Sequence, residues 1–393
     1  MISFTRFHAR GVAKSYELQD GKAVKKPAEN FKTGTYETVR VSSIGELWGF
    51  VRELGPGDFL TAGVHQTQAS GRCGLGAGDI RRTKEEFPFQ SVEPGLCIID
   101  SDNLDELNLS DIDSFATALE KLIGEADYVL SPSASSGITV NGIVGPIKGM
   151  HTFVFVEDTT SIPDALSILH KRSILLGYAW PFITKNGAIL IRSLVDLAMK
   201  TPNQPCFEGG AILCDGITQE RSILSSKPGD VPKFLTITPL TKDEERLVET
   251  KSRKLSEAVV AEAACKRAAW RAEREAKMIA NGCAPEEAKR IIDEALSGDR
   301  PVLSSDFEIH TDKFGIKTVR ELLASAVKYH EATCSDPLDP EDGSGKAKIY
   351  TLNKDGRPAI NSHAHGGGVF ILEQELFREL AAEDVEPAIN MIT

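Results

Sequence analysis

Two carboxylates lie one residue apart at the end of a predicted strand. The apolar run Leu96–Ile99 ends at Asp100, and Asp102 comes two residues later. Because alternate residues of a strand share a face, this spacing places both carboxylates side by side. Such a pair can hold one or two divalent cations through oxygen ligands, although an Asp-x-Asp sequence also occurs in loops and helix caps.

A third carboxylate and a histidine could complete such a site. Asp196 follows the apolar run Ile189–Val195, which predicts either a strand with Asp196 at its end or a helix interior with Asp196 on the surface. His151 precedes the predicted strand Thr152–Val156, where a single histidine is more often structural than a ligand. Taken one by one, these residues leave the chemistry open.

The elements that must position these residues follow from the pattern of apolar side chains. Strands are predicted at residues 96–99, 128–130 and 152–156, and helices from about 111 to 122 and from 162 to 178. The Ser- and Gly-rich residues 131–148 are predicted to form a mobile loop. This alternation predicts an α/β or α+β sheet domain that extends to about residue 238.

The order of these motifs resembles that of the archaeo-eukaryotic primase superfamily, in particular of phage and plasmid primase-polymerases. The shared order is an Asp-x-Asp after a strand, a Ser/Gly loop that leads to a histidine, and a third Asp after an apolar run. Further similar segments lie between about residues 56 and 225: Arg82-Thr83 with Phe87, Ser133–Gly137, Lys148–His151, Leu175–Gly177, Gly187–Asp196 and Phe207–Gly210. Ile360–Gly367 is similar to a segment that follows the primase module in phage primase-helicases.

This resemblance implies an enzyme that joins nucleoside triphosphates on a single-stranded DNA template, making primers for phage or mobile-element replication. It implies that Asp100, Asp102 and Asp196 are catalytic and hold two Mg²⁺ or Mn²⁺ ions. It also implies that His151 contacts the triphosphate of the incoming nucleotide. Carboxylates with bound divalent ions suit this chemistry, since phosphoryl transfer depends on positioning and charge stabilisation.

Three further residues are candidates for nucleotide binding. Lys148 and Arg192 could offset phosphate charge, and Ser136 lies in the Ser/Gly motif. The alternatives are a solvated loop position for Lys148 and a structural ion pair for Arg192. Many relatives have an aromatic residue after the motif histidine, whereas this chain has Thr152, which leaves nucleotide selection open.

The resemblance also implies an RRM-like sheet, so the chain is predicted to be α/β (α+β) in three parts. These are a primase-polymerase catalytic core at 1–238, an α-helical domain at 239–334 and a small C-terminal module at 335–393. Residues 241–278 contain no Gly or Pro, which is typical of a long helix or a helix pair. Basic residues of this segment usually form a solvated face, but beside a primase core four are candidates for template binding: Lys266, Arg267, Arg271 and Arg274.

Composition and charge limit the class of protein. The chain has 393 residues, 41% hydrophobic and 26% charged, which excludes a small disulfide scaffold. No apolar run reaches the length of about 18 residues that a membrane span needs. Scattered cysteines without a Cys-x-x-Cys pair, and the absence of a signal-peptide pattern, favour a cytoplasmic location. The resemblance implies that this is the cytoplasm of a bacterial host cell.

The net charge of −12 at first argues against nucleic-acid binding. However, residues 91–130 contain ten acidic residues and one basic one, a net charge of −9. Most of the excess therefore lies around Asp100 and Asp102, where divalent cations would neutralise part of it.

Other functions and signals are weighed against this interpretation. A replication initiator that binds origin DNA would need a basic recognition helix, and a two-metal nuclease could use the same three carboxylates. Gly343–Lys346 does not fit a phosphate-binding loop, because Pro340 and Ala347 stand where that motif needs Gly and Ser/Thr. For His363 and His365 a structural or interaction role is favoured over metal binding. The C-terminal module is a candidate docking site for a separate replicative helicase.

Overall fold

The computed structural model describes residues 1–26, 31–74, 76, 78–226, 231–280, 284–296, 301–352, 357–364 and 368–373. The chain divides into two compact units, the first formed by residues 1–180 and 191–255 and the second by residues 181–190 and 256–393. Of the helices in the described ranges, none is both long and apolar enough to cross a membrane.

The described residues form eight α-helices and 24 strands. The helices are α1 (Ile44–Arg52), α2 (Ile112–Ile123), α3 (Ile162–Leu176), α4 (Lys242–Glu257), α5 (Val260–Ala280), α6 (Pro285–Ala295), α7 (Val319–Ala324) and α8 (Ala326–Tyr329). The strands up to residue 156 are β1 (Ile2–His8), β2 (Ser15–Gln19), β3 (Lys22–Lys26), β4 (Thr33–Val41), β5 (Asp58–Thr61), β6 (Ser70–Gly74), β7 (Gly95–Asp102), β8 (Tyr128–Pro132), β9 (Ile138–Val140), β10 (Ile143–Val144) and β11 (Gly149–Val156). The later strands are β12 (Ala179–Ile183), β13 (Ile189–Ser193), β14 (Cys206–Phe207), β15 (Ile212–Leu213), β16 (Ile217–Gln219), β17 (Leu224–Ser225), β18 (Val302–Leu303), β19 (Glu308–Thr311), β20 (Gly315–Thr318), β21 (Thr333–Cys334), β22 (Ala347–Tyr350), β23 (Ala359–Ser362) and β24 (Gly368–Leu372).

A nine-stranded sheet forms the centre of the first unit. Its main path runs β14-β5-β1-β7-β11-β8-β17, with β4 paired to β1 and β6 paired to β4. β7 is parallel to β1 and antiparallel to β11, which in turn is antiparallel to β8. The three strands expected from the sequence at 96–99, 128–130 and 152–156 are therefore confirmed as neighbours in one mixed α/β unit.

Two helices pack on this sheet for reasons visible in the sequence. In α2 the carboxylate of Asp111 accepts the backbone N–H of Ser114, which satisfies a donor at the start of the helix. α3 begins with Pro163 in its first turn and ends at Gly177, which has φ of +84°. Apolar residues at helical spacing from both helices join the strands in one buried core: Phe115, Leu119, Leu122, Ile162, Leu166 and Leu169.

Residues 131–148 differ from the expected mobile loop. β9 and β10 form a hairpin inside this segment, and β9 also pairs with β16. Asn141 and Gly142 connect the two strands with φ values of +52° and +75°. Asn-Gly is the preferred sequence for such a two-residue turn, so a signal for this hairpin was present in the sequence.

The second unit combines helices with a seven-stranded sheet in the order β18-β24-β23-β22-β21-β19-β20. The expected helix pair is confirmed as α4 and α5, but the region 302–334, expected to be helical, contains the strands β18 to β21 in addition to the helices α7 and α8. β21 pairs with β22 across the expected boundary between residues 334 and 335, so both sides of that boundary belong to one sheet. The sequence signal for β21 was weak, because this strand has only two residues and its pairing depends on a strand that is distant in the sequence.

Candidate active site

Strand pairing brings the Asp-x-Asp motif and His151 together. In the antiparallel register of β7 and β11, His151 lies opposite Asp100, and Gly149 lies opposite Asp102. Directly opposed residues share a face of the sheet, so both carboxylates and the imidazole lie on the same side. A Cβ atom at position 149 would lie 2.7 Å from Oδ1 of Asp102, so glycine leaves room for that carboxylate.

Asp196 reaches the same place from the end of another strand. The run at 189–195 begins as β13, so of the two sequence-based alternatives the strand is the one observed. The backbone N–H of Asp196 donates to the carbonyl oxygen of Asp100 at 2.9 Å, and the Ser101 hydroxyl donates to the carbonyl of Leu194. Oδ1 of Asp196 accepts the N–H of Ala198 at 2.9 Å, which caps the following turn. The structure thus brings together all three carboxylates that the sequence singled out.

The carboxylate of Asp100 interacts electrostatically with the other charged side chains of the site. Its Oδ1 is buried and has no hydrogen-bond partner, while the side chain as a whole is 23% exposed. Burial raises the pKa of Asp100 to about 6, and the negative charges of Asp102 and Asp196 add to this effect. His151 and Lys14 oppose it. A buried carboxylate oxygen without a partner beside two further carboxylates fits a divalent cation with oxygen ligands.

His151 lies buried between two carboxylates, with an exposed fraction of 5%. Its Nδ1 is 2.6 Å from Oε2 of Glu208, and its Nε2 is 3.7 Å from Oδ1 of Asp100. Burial alone lowers the pKa of His151, but interactions with Cys206 and Glu208 outweigh burial and hold the pKa well above its usual value. The raised pKa favours the protonated form of the ring next to the three aspartates.

Glu208 is fully buried and is held by two further side chains. Its Oε1 accepts Nη2 of Arg221 at 2.6 Å and also accepts the Ser131 hydroxyl. Nε of Arg221 donates to the Pro132 carbonyl at 2.7 Å, and Nη2 donates to Ser131 at 2.9 Å. Ser131 is also opposite His151 in the β8–β11 pairing. The side chains of His151, Glu208, Arg221 and Ser131 therefore form one hydrogen-bonded cluster.

The same place contains a second potential metal-binding trio, His151, Cys206 and Glu208, whose ligand atoms lie within 4.8 Å of one another. Ligands of a tetrahedral zinc ion, each about 2.1 Å from the metal, would be about 3.4 Å apart. The separation of 2.6 Å between His151 and Glu208 is instead a hydrogen bond. Burial raises the pKa of the Cys206 thiol to about 11, which disfavours the thiolate that metals bind. The trio is therefore better described as a hydrogen-bonded support for the imidazole.

The candidate nucleotide-binding residues occupy different positions around the carboxylates. Ser136 is fully buried, and its hydroxyl accepts the N–H of Lys148 at 3.0 Å and donates to the Gly149 carbonyl at 3.2 Å, which holds the start of β11. The Lys148 side chain is exposed, and Arg192 is partly buried on β13. Lys14, which no sequence motif singled out, donates to Oγ of Ser135 at 3.3 Å.

The four basic residues on α5 that were selected for template binding lie in the second unit and make contacts there. Lys266 pairs with Glu262, and Arg271 pairs with Asp293. Arg267 donates to the Gly187 carbonyl at 2.8 Å, and Arg274 donates to the Pro337 carbonyl at 2.9 Å. These contacts give the three arginines packing roles, and template binding by this helix stays a prediction. His363 is exposed, whereas His365 and residues 374–393 of the C-terminal module lie outside the described residues.

In comparisons with known proteins, no family model, curated protein or solved structure matches this chain. Glu208 lies in one of the resembling segments, Phe207–Gly210, but its type alone did not reveal a role. Arg221 and Lys14 carried no recognisable signal, because they reach the site only through the fold.

Proposed function

We propose that this protein is a DNA-dependent primase-polymerase, which joins nucleoside triphosphates on a single-stranded DNA template with release of pyrophosphate. The observation that carries the proposal is the meeting of Asp100 and Asp102, on one sheet face beside a buried His151, with Asp196 at the end of another chain segment. These four residues belong to the three motifs that resemble those of primase-polymerases, and the motifs occur in the same order along the chain. Their convergence from three separate segments supports a shared role.

The three aspartates would hold one or two Mg²⁺ or Mn²⁺ ions. When bound, such ions offset the charge of the triphosphate and favour the ionised form of the attacking hydroxyl. Asp100 offers an oxygen that no protein group satisfies, and Asp196 retains a second oxygen beside the one that caps its turn. His151 and Lys14 place positive charge next to the carboxylates, where a polyphosphate would need it.

The order of elements supports a nucleic-acid role for the sheet. Apart from the β9–β10 hairpin between β8 and β11, the elements β7, α2, β8, β11 and α3 follow one another in the chain, and β7, β11 and β8 are neighbours in space. The same β-α-β-β-α order occurs in RRM-like sheets, which bind single-stranded nucleic acid on their open face. The proposed fold is accordingly an RRM-like primase-polymerase core, with Asp100 and Asp102 on one face of its sheet and Asp196 hydrogen-bonded through its backbone to Asp100.

A nucleotide-incorporation assay tests the proposal. Labelled nucleotides, primed and unprimed single-stranded DNA, and Mg²⁺ or Mn²⁺ are incubated with the wild type, with Asp100→Ala/Asp102→Ala and with Asp113→Asn, an exposed control on α2. We expect synthesis by the wild type and by the control, and a loss of at least about 10³-fold in the double variant. Metal-dependent shortening of the template without synthesis would instead support a two-metal nuclease.

A further inference from the structure

We infer that Glu208 is a positioning residue that fixes the ring of His151, an inference that rests on the proposed function for the reaction it serves. Oε2 of Glu208 lies 2.6 Å from Nδ1 of His151. An ionised carboxylate can only accept hydrogen bonds, so Nδ1 must carry the proton in this contact. The opposite ring edge then faces the metal-binding carboxylates, with Nε2 at 3.7 Å from Oδ1 of Asp100.

Glu208 can do this because it is itself immobilised. Its other oxygen accepts both Arg221 and Ser131, and Arg221 is in turn bound to the Pro132 carbonyl. The groups come from β8 and from the chain segments that follow β14 and β16, so elements of two different sheets meet in this cluster. A buried carboxylate is tolerated only when such partners satisfy it, and satisfied partners leave it one orientation.

The alternative orientation of the imidazole shows why this matters. Rotation of the ring by 180° about its bond to Cβ would carry Nδ1 away from Glu208 and break the 2.6 Å contact. Glu208, buried and unable to reach water, would then lose one of its partners, which makes this rotation costly. His151 therefore presents one ring edge to an incoming nucleotide, and Glu208 itself touches neither nucleotide nor metal.

Glutamine at position 208 separates positioning from packing, because it keeps the size of the side chain. The amide of glutamine has a single accepting oxygen, and the hydrogen bonds from Arg221 and Ser131 both need that oxygen. The amide NH₂ group would then face Nδ1 of His151, which would have to give up its proton or turn away. Glu208→Gln should therefore change the ring state of His151 while it leaves the fold intact.

Two readouts test this on the full-length protein. One is the ¹⁵N spectrum of imidazole-labelled protein, in which the His151 signals are assigned with His151→Asn. The other is the KM for the incoming nucleotide in the incorporation assay, measured beside the affinity for single-stranded DNA. Glu125→Gln, an exposed partner of Lys233, is the matched control.

In Glu208→Gln we expect the Nδ1 signal to leave the range of a protonated nitrogen. We also expect the nucleotide KM to rise about 10- to 100-fold with unchanged DNA affinity, a range taken from residues that orient metal-bound histidines. Ser131→Ala, which removes one anchor of Glu208, should shift both readouts in the same direction by less, and it serves if Glu208→Gln does not fold.

Unchanged His151 signals and unchanged KM in Glu208→Gln would overturn the inference. A shifted Nδ1 signal with an unchanged KM would overturn it too, because the ring would then be held for no purpose in the reaction. A wild type without any synthesis would refute the proposed function, and the ¹⁵N comparison would still decide whether Glu208 fixes the ring.

Discussion

At the scale of single residues, the site is defined by charges that the protein leaves unbalanced. Asp100 has a buried oxygen without a partner, although His151 lies nearby and Lys14 contributes positive charge. A carboxylate in this condition costs folding free energy unless something from outside the chain satisfies it. This argues for a bound cation more directly than the Asp-x-Asp pattern does.

The first prediction concerns the pH dependence of stability without metal. The pKa of Asp100 is about 6 in the fold, above the value of about 3.9 for an unfolded chain. The folded state therefore binds the proton more tightly, so the ionised carboxylate destabilises the protein above pH 6, and this penalty disappears below about pH 4. We expect Asp100→Asn to raise the free energy of unfolding by about 1–2 kcal/mol at pH 8 and to match the wild type near pH 4.

Thermal or urea unfolding in the presence of a chelator measures this difference, with Asp113→Asn as the exposed control. Addition of Mn²⁺ at pH 8 should stabilise the wild type more than Asp100→Asn, since a bound ion would satisfy the carboxylate. A wild type that is more stable than Asp100→Asn at pH 8 without metal would contradict the account of Asp100.

The second prediction concerns Lys14, which donates to Ser135 and acts electrostatically on Asp100. If its ammonium group binds the triphosphate, Lys14→Ala should raise the nucleotide KM about tenfold, the value of one charge-assisted hydrogen bond, and Lys14→Arg should restore much of the affinity. Lys22→Ala, at an exposed position of β3, should behave like the wild type. An unchanged KM in Lys14→Ala would remove Lys14 from the site.

At the scale of elements, strand pairing brings together residues whose proximity the local sequence could only suggest. The sequence predicted that Asp100 and Asp102 share a face, because alternation within a strand is local. Their position opposite His151 depends on the register of β7 and β11, which are separated by α2, β8 and a hairpin. The resemblance to primase-polymerases implied that Asp100, Asp102 and His151 act together. The register of β7 and β11 is the physical reason why they lie close to one another.

The third prediction follows from this register. At Gly149 an added Cβ would lie 2.7 Å from Oδ1 of Asp102 and 3.0 Å from the Ser101 carbonyl, so Gly149→Ala must displace the carboxylate or the strand. We expect a loss of about 1–3 kcal/mol in stability and a weaker affinity for Mn²⁺. Gly49→Ala, in α1 with nothing within 4 Å of the added atom, should be neutral or slightly stabilising. Equal effects of both substitutions on Mn²⁺ affinity would refute the role of Gly149.

The fourth prediction concerns α5. The Arg274 guanidinium packs 5.8 Å from the ring centre of Trp270 and 5.6 Å from that of Phe307, in addition to its hydrogen bond to the Pro337 carbonyl. Arg274→Ala should therefore lower the free energy of unfolding by about 2–3 kcal/mol. Lys266→Ala, whose side chain is 46% exposed, should change it by less than about 0.5 kcal/mol. Urea unfolding checks both, and an equally stable Arg274→Ala would return Arg274 to the list of free DNA-binding candidates.

At the scale of the whole molecule, sequence reasoning succeeded where the signals are local. Helices with caps and apolar strands were readable from local patterns, whereas the grouping of the three aspartates with His151 came from the resemblance in motif order. Glu208, Arg221 and Lys14 were missed because they enter the site through contacts between residues far apart in the chain. For the same reason the sheet strand at Thr333–Cys334 was missed, since pairing with β22, more than ten residues later, defines it.

The charge distribution also belongs to this scale. The net charge of −12 seemed unsuited to a protein that binds DNA, yet a net charge of −9 lies within residues 91–130. This segment contains β7, which ends in two of the three site carboxylates. Acidity around the site is therefore compatible with a nucleic-acid enzyme, provided that divalent cations bind there.

The central claim is template-directed nucleotide joining at the site of the three aspartates and His151. The most direct measurement uses single-stranded DNA of a single base, with each of the four labelled nucleotides supplied separately with Mn²⁺. The account predicts that the wild type incorporates the complementary nucleotide and that Asp196→Asn incorporates none. Incorporation independent of the template base, or full activity in Asp196→Asn, would contradict it.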